Sequence, residues 1–600
     1  MTKALPAAAH LRRETEPWRP GWADLTGALV AAQVLASALV VARGFYYQDD
    51  YAFIRRCVDS SLLSPDLLLL QWNGHLMPAG MAASWILAHA APFQYGAVIA
   101  GLVILAAAAA VLFRLVAIRL LGPGPAHAFA VVLNATSIAV LAASAWWAAA
   151  INVLPMLIAL YACILLTHGT GTTPPSAGRQ AWAMAWLACG LAFFEKAVLI
   201  PLVLFGLEWA GATATGTVAA AKETWRRSRR YWLRLGAVTL GYACAYLLTL
   251  REGSPAGIVG STAVVGDTMS RALVTLATGL LGGPLQWITS FEAIGRPPTW
   301  LTVAALQLAG LMVAAVLVRP THGAARWLML AGGYVAACVA ILLVGRPGAA
   351  ALLGSVPRYF ADAVPVVALC AAGALKALAP WPGLSRSVRT GAVLASANVL
   401  ILLSIQSGLG LQAWLNANPT RGYVTRTLTA LRAAPAGPVL DTPVDVQVLG
   451  PLLAPDNRLS SVFALVPTKS TFESQATTLT SVPPHGGLAA STVRGASARP
   501  GPETRCGWRV EGSGRIPLAG RTAGTVLEIA YIATGPGEAR ISVDGQVPTE
   551  VRIEAGLQKW FIALPGQGDS IVVTDLTPGV ALCTDEVRFG TPEPLPAEGA

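Results

Sequence analysis

Long apolar runs fill the chain as far as Leu411, whereas short segments of alternating apolar and polar residues fill its end. Crossing roughly 30 Å of hydrocarbon takes about 17–25 predominantly apolar residues in a helix. About eleven runs approach that length. They are Leu25 to Val41, Ala97 to Ile118, Phe129 to Ala145, Val153 to Leu166, Ala181 to Phe194, Val198 to Trp209, Trp232 to Leu250, Leu301 to Val318, Trp327 to Val344, Ala363 to Leu378 and Gly391 to Leu411. The pattern predicts an α-helical polytopic membrane protein. The two runs beside Glu195 and Lys196 are short for a full crossing.

After Leu411 the pattern changes. Asn416 to Ala433 reads as a surface helix, Val439 to Val466 as apolar stretches broken by Pro and Asp, and Ser470 to Pro500 as a Ser/Thr/Pro/Gly-rich linker. From Cys506 onward, alternating segments recur between Gly and Pro turns: Trp508 to Val510, Thr525 to Ala533, Ala539 to Val543, Val551 to Glu554, Trp560 to Leu564, Ser570 to Thr574 and Val587 to Phe589. Strands at that spacing predict a small β-sandwich. The expected organisation is a leader over 1–24, a transmembrane domain over 25–411, a connector over 412–505, a sandwich over 506–592 and a tail over 593–600.

Composition sharpens this. Charged residues are 12% of the chain and hydrophobic ones 54%, against about 25% charged in soluble domains. The net charge of +11, from 42 Lys and Arg against 31 Asp and Glu, suggests nucleic acid in a soluble protein. In a membrane protein it marks cytoplasmic loops, so no nucleic-acid partner is expected. Arg12, Arg13 and Arg19 precede the first run and place the N-terminus in the cytoplasm. Counting forward, Arg119, Arg179, the cluster Lys222 to Arg230, Arg319, Arg326, Arg386 and Arg389 fall on the same side. Asp49, Asp50, Glu195, Asp267, Glu292 and everything after Leu411 fall outside, in a cytoplasmic-membrane topology. The polar leader is long and no small-residue cleavage site follows the first run before Phe45-Tyr46-Tyr47, so that run is read as a retained helix.

Five of the 8 cysteines lie in apolar runs. Cys506 and Cys583, near the two ends of the expected sandwich on the oxidising side, suggest a disulfide; the alternative is two reduced core cysteines. No Cys/His cluster at zinc spacing and no calcium loop occurs.

The chemistry concentrates in outside loops. Asp49 and Asp50 follow the first run directly, where packing explains two adjacent carboxylates poorly. Neighbouring like charges raise each other's pKa, which suits one of them to accept a proton. The plainer reading is a solvated helix end with one carboxylate as an N-cap. Glu195 and Lys196 either contribute to a site or pair with each other. Arg358 and Tyr359 are site residues or a helix-end anchor with its aromatic belt. His75 either contacts a phosphate or metal or packs within its loop. Trp146 and Trp147 read as an interfacial belt.

The segment Phe45-Tyr46-Tyr47-Gln48-Asp49-Asp50-Tyr51, followed by Gly74-His75-Leu76-Met77-Pro78, resembles the first outside loop of the GT-C superfamily of membrane glycosyltransferases. That group includes protein O-mannosyltransferases, lipid A aminoarabinose transferases and actinobacterial envelope transferases, and the excess of Ala, Gly, Arg and Pro fits a high-GC actinobacterial origin. Phe194-Glu195-Lys196 ahead of Pro201 is similar to the family's acidic-and-lysine patch, with the usual order reversed. Arg358-Tyr359 before Pro365 is similar to the Arg-Tyr that opens a late helix.

The resemblance implies a sugar donor on a polyprenyl phosphate, an envelope glycan, lipid or protein as acceptor, and an inverting transfer. Asp49 would be the general base, and Asp50 would orient it or help bind a divalent cation such as Mg or Mn. Arg358, Lys196, Arg55 and Arg56 would bind the donor phosphate. The β-sandwich is similar to carbohydrate-binding modules, with Trp508, Tyr531, Trp560, Phe561 and Phe589 as stacking surfaces or as core. The competing classes are a flippase for lipid-linked sugars and a membrane anchor for the sandwich. Against the flippase, intramembrane charges are sparse.

Overall fold

The computed structural model describes residues 21–168, 175–249, 261–289, 292–319, 321–378, 386–418 and 420–596. The leader arginines lie outside the described residues. The first half of the membrane body contains α1 (Trp22–Val41), α2 (Asp49–Val58), α3 (Pro65–Leu68), a hairpin of β1 (Gln71–Trp72) and β2 (His75–Leu76), α4 (Pro78–Ala90), α5 (Tyr95–Leu121), α6 (Pro125–Ala135), α7 (Ile138–Ser144), α8 (Trp147–Thr167) and α9 (Ala177–Phe193). A 3₁₀ turn, Glu195–Leu199, leads into α10 (Ile200–Gly211), α11 (Thr217–Leu248) and α12 (Thr262–Leu280). A second hairpin, β3 (Trp287–Thr289) with β4 (Ala293–Gly295), precedes α13 (Thr299–Val318), α14 (His322–Gly345) and α15 (Ala350–Leu353). The 3₁₀ turn Pro357–Phe360, α16 (Ala363–Leu378) and α17 (Arg386–Asn416) complete the body.

Each expected run coincides with helical structure, Phe129 to Ala145 with two helices, α6 and α7, and Leu250 lies outside the described residues. Among the described residues, 6 helical segments are long and apolar enough to cross a membrane, or 7 if α6 and α7, bent by 48°, count as one span. The difference from eleven has a geometric cause. The 12-residue α10 reaches only about 18 Å at 1.5 Å per residue. Similarly, α11 contributes its apolar half only beyond a kink at Ser228. The chain is a multi-pass membrane protein. Leu306, Leu311 and Leu317 on α13, like Leu35 and Leu39 on α1, are exposed, as expected of helices that meet lipid rather than core.

The buried centre of the body is α8, which keeps Pro155 in its interior. Gly190 of α9 is packed so closely on it that a Cβ there would stand 3.0 Å from that of Ala159. Such small-residue contacts are how helices approach in lipid.

Beyond the body, α18 (Thr420–Ala433) forms where the surface helix is expected, burying Tyr423, Val424, Leu428 and Leu431. Next, β5 (Gly437–Leu440) pairs in parallel with β6 (Ser470–Glu473), with α19 (Leu459–Val462) between them. The expected linker is instead strand: β6, β7 (Gln475–Ala476), β8 (Thr480–Ser481) and β9 (Ala489–Ser497). Its small residues are needed for close approach, since a Cβ on Gly495 would come within 2.0 Å of the Phe589 carbonyl oxygen.

The remaining strands are β10 (Trp508–Glu511), β11 (Gly514–Ala533), β12 (Gly537–Val543), β13 (Thr549–Ile553), β14 (Gly556–Thr574) and β15 (Ala581–Pro594). They join one 9-stranded sheet of order β13-β12-β14-β11-β15-β9-β8, with β10 on β15 and β7 on β14. The sandwich therefore takes the form of a single sheet. Register shifts between Pro517 and Thr522 and between Gly524 and Val526 bend β11. Residues from across the sheet, such as Val551 on β13, Val543 on β12, Leu527 on β11 and Phe589 on β15, consequently share one core. Cys506 and Cys583 are bonded, with Cα atoms 4.8 Å apart. The five aromatics are taken up by packing: Tyr531, Phe561 and Phe589 are buried, and Trp508 and Trp560 lie partly buried against the core.

Candidate active site

The α1–α2 turn sets the site. Phe45, Tyr46 and Tyr95 pack with ring centroids 5.2 to 5.3 Å apart, which fixes the chain as it leaves α1. Gln48 then takes φ 43° and ψ −105°, a strained conformation for a residue with a side chain. The turn points the two following carboxylates in different directions. Asp49 lines a cavity of about 750 Å³, whereas Asp50 does not line it.

Asp50 is 3% exposed. One of its oxygens accepts the Tyr47 backbone N–H and the other the Ala148 backbone N–H, both at 3.0 Å. It thus holds the start of α2 and satisfies an otherwise unpaired donor in the first turn of α8. Burial pushes its carboxyl up to about 8, against the pull of these N–H groups. Asp49 is also raised, first by burial, while Arg358 and more weakly Arg346 and His75 favour its charged form. The Trp72 indole N–H lies beside Asp49 without forming a hydrogen bond of normal geometry.

The same cavity gathers His75, Glu195, Lys196, Arg358 and Tyr359, which together with Asp49 come from four separate segments of the sequence. Glu195 and Lys196 do not pair with each other. Lys196 Nζ donates to Asp362 Oδ1 at 2.9 Å and to the Tyr359 carbonyl at 2.7 Å, and Asp362 Oδ2 accepts the Tyr334 hydroxyl at 3.0 Å. Glu195 Oε1 is 2.8 Å from His75 Nδ1, and Arg346 Nη2 is 3.2 Å from His75 Nε2. A guanidinium only donates, so Nε2 must accept. The proton is therefore on Nδ1, which donates to Glu195.

Arg358 pairs with Glu292 and stacks over Trp146 at 4.1 Å. Trp146 and Trp147 are 9% and 8% exposed, and the Trp147 indole donates to Ser84 Oγ at 3.0 Å. They form interior walls rather than an interfacial belt. Arg55 and Arg56 do not join the site: Arg55 pairs with Asp59, and Arg56 lies 3.2 Å from Asp456. That contact, with the Thr420 hydroxyl donating to the Tyr46 carbonyl at 2.9 Å, docks the connector beside the α1–α2 turn.

Sequence reasoning missed Arg346, Glu292, Asp362 and the hairpin that carries Trp72 and His75. The hairpin had a readable signal. Asn73 and Gly74 take φ 49° and 81°, as the Asn-Gly pair of a two-residue hairpin turn requires. Tyr242 and Tyr246 of α11 donate to the Leu76 and Gly74 carbonyls at 2.8 Å each, and Arg346 donates to that of Asn73 at 3.0 Å. These bonds hold His75 in place.

Asp50 is not placed to hold a divalent cation in the cavity. Both Asp50 oxygens are occupied by backbone N–H groups, and among the described residues no three His, Cys, Asp or Glu side chains converge to hold a metal.

No protein-family model matches the chain, and no curated protein matches it. Among solved structures it is similar to the crystal structure of ArnT from Cupriavidus metallidurans bound to undecaprenyl phosphate. The identity is 11%, the match covers 76% of this chain and 86% of that one, and the TM-score is 0.44.

Proposed function

We propose that this protein is a membrane glycosyltransferase of the GT-C type, moving a sugar from a polyprenyl-phosphate carrier to an envelope acceptor. The observation that carries this reading is the single cavity lined by Asp49 and by Arg358, Lys196 and Arg346, set in a body of lipid-facing helices. A partly desolvated carboxylate supplies a base, and cations in the same cavity supply charge for a departing lipid phosphate.

In the proposed step, Asp49 takes the proton of an acceptor hydroxyl. The acceptor oxygen bonds to the anomeric carbon, the bond from that carbon to the phosphate oxygen breaks, and its electron pair leaves with the lipid phosphate. Attack from the opposite face inverts the anomeric centre. Arg358 is suited to the phosphate because its guanidinium is planar and always charged. For that contact Glu292 has to share or yield its partner, and burial already raises the pKa of Glu292.

Helix polarity supports an extracytoplasmic site. Asp49, Trp146, Glu195, Tyr246 and Arg346 lie at or beyond the α1 C-terminus, α8 N-terminus and α9, α11 and α14 C-termini, and all line the cavity. Arg119, Arg179, the Lys222 to Arg230 cluster and Arg326 lie toward the opposite ends of α5, α9, α11 and α14, as the positive-inside rule expects of a cytoplasmic face.

The test is to incubate purified protein with radiolabelled polyprenyl-phosphate sugars and envelope glycans. Label in the acceptor is the expected result. Vectorial movement of donor across vesicles without transfer would contradict it.

A further inference from the structure

Two acceptor atoms on residues lining the cavity have no donor. Glu195 gives Oε1 to His75, while its Oε2 is buried and unpartnered; Oδ1 of Asn152, a residue 6% exposed on α8, is in the same state. Arg358 Nε is a buried donor on the same lining with no acceptor. Buried polar groups in folded proteins are nearly always satisfied, so such a set calls for a ligand. The ligand must offer O–H or N–H groups to Glu195 and Asn152 and oxygen lone pairs to Arg358. A sugar phosphodiester offers both.

The unmet need of Glu195 is for a hydrogen rather than a charge. Lys196 is its neighbour in the chain, and Arg346 bonds the other nitrogen of the imidazole that Glu195 holds. The charge of Lys196 is met by Asp362, but an ammonium group placed on Glu195 would stand near the Arg346 guanidinium, whereas a hydroxyl would meet no such repulsion. Building on the glycosyl-transfer reading, we propose that Glu195 and Asn152 bind hydroxyls of the transferred sugar, and that the donor sugar is neutral and polyhydroxylated rather than an amino sugar.

The test measures binding to the detergent-solubilised full chain of four synthetic probes: farnesyl phosphate, farnesyl-phosphate arabinose, farnesyl-phosphate mannose and farnesyl-phosphate 4-amino-4-deoxyarabinose. At least one neutral sugar should bind more tightly than farnesyl phosphate itself. Glu195→Ala should weaken that neutral donor roughly ten- to a hundred-fold while leaving farnesyl phosphate within about two-fold. In Glu195→Gln the amide oxygen can still accept from His75 while the NH₂ donates to the sugar hydroxyl oxygen, so the neutral donor should stay within about three-fold of wild type. Asn152→Ala should act in the same direction as Glu195→Ala.

Unchanged neutral-donor binding in Glu195→Ala would overturn the proposal. Equal weakening of sugar-bearing and sugar-free lipid would overturn it in favour of a structural role, and a preference for the amino sugar that Glu195→Gln abolishes would overturn the hydroxyl assignment. If wild-type protein binds farnesyl phosphate but gains nothing from any sugar, this inference fails while a phosphate site stands. If it binds none of the probes, the glycosyl-transfer reading fails as well.

Discussion

Asp50 accepts the backbone N–H of Ala148 at 3.0 Å across 98 residues of sequence, joining the start of α2 to the start of α8. Its chain neighbour Asp49 faces the cavity. Two identical side chains thus have different work, and substitution should separate them. Asp50→Ala strands the Tyr47 and Ala148 N–H groups, which should cost about 2–4 kcal/mol of stability. A thermal melt of the detergent-solubilised variant, compared with Asp49→Ala, measures this; equal melting temperatures would contradict the assignment.

The same carboxyl predicts a pH trend. Its pKa rises from 3.8 to about 8 on folding, so between those values the folded protein holds a proton that the unfolded chain has released. Stability contributed by this group therefore falls as pH rises through that window, by up to roughly 1.4 kcal/mol per pH unit. Melting temperatures recorded from pH 5 to 8 should decline more steeply in wild type than in Asp50→Asn. Parallel slopes would contradict the prediction.

Lys196 and Asp362 form a buried pair, their side chains 8% and 1% exposed. Removing one partner leaves an uncompensated charge, so Lys196→Met should lose about 3–5 kcal/mol. The double variant Lys196→Met, Asp362→Asn should be more stable than the sum of the two single losses predicts. A double-mutant cycle by chemical denaturation checks this, and strict additivity would refute the coupling.

The disulfide predicts a thiol count. The six remaining cysteines are free in the structure, so alkylation of unfolded, unreduced protein should label six thiols and alkylation after reduction eight. Eight labels without reduction would contradict the bridge.

Much of this architecture was legible because its causes are local. Apolar runs mark helices wherever hydrocarbon is the solvent, and alternation marked β11 through β15. Asp49 stood out because two carboxylates beside a membrane helix have few structural uses, although the sequence could not say which one is buried. That depends on the twist at Gln48 and on Ala148, far away in the chain. Arg346, Glu292 and Asp362 were missed because each is a single charge among apolar or loop residues, and its meaning comes from partners on other segments. The stretch from Ser470 to Pro500 looked like linker because a strand that packs backbone against backbone, as Gly495 does on Phe589, needs residues too small to give a hydrophobic signal.

The most direct measurement of the central claim is the turnover of Asp49→Asn with a labelled polyprenyl-phosphate sugar. Asparagine keeps the size of the side chain and removes the base. Transfer should fall about 10²–10⁴-fold, with melting temperature and donor affinity close to wild type. Transfer at near wild-type rates would show that Asp49 is not the base and would contradict the account.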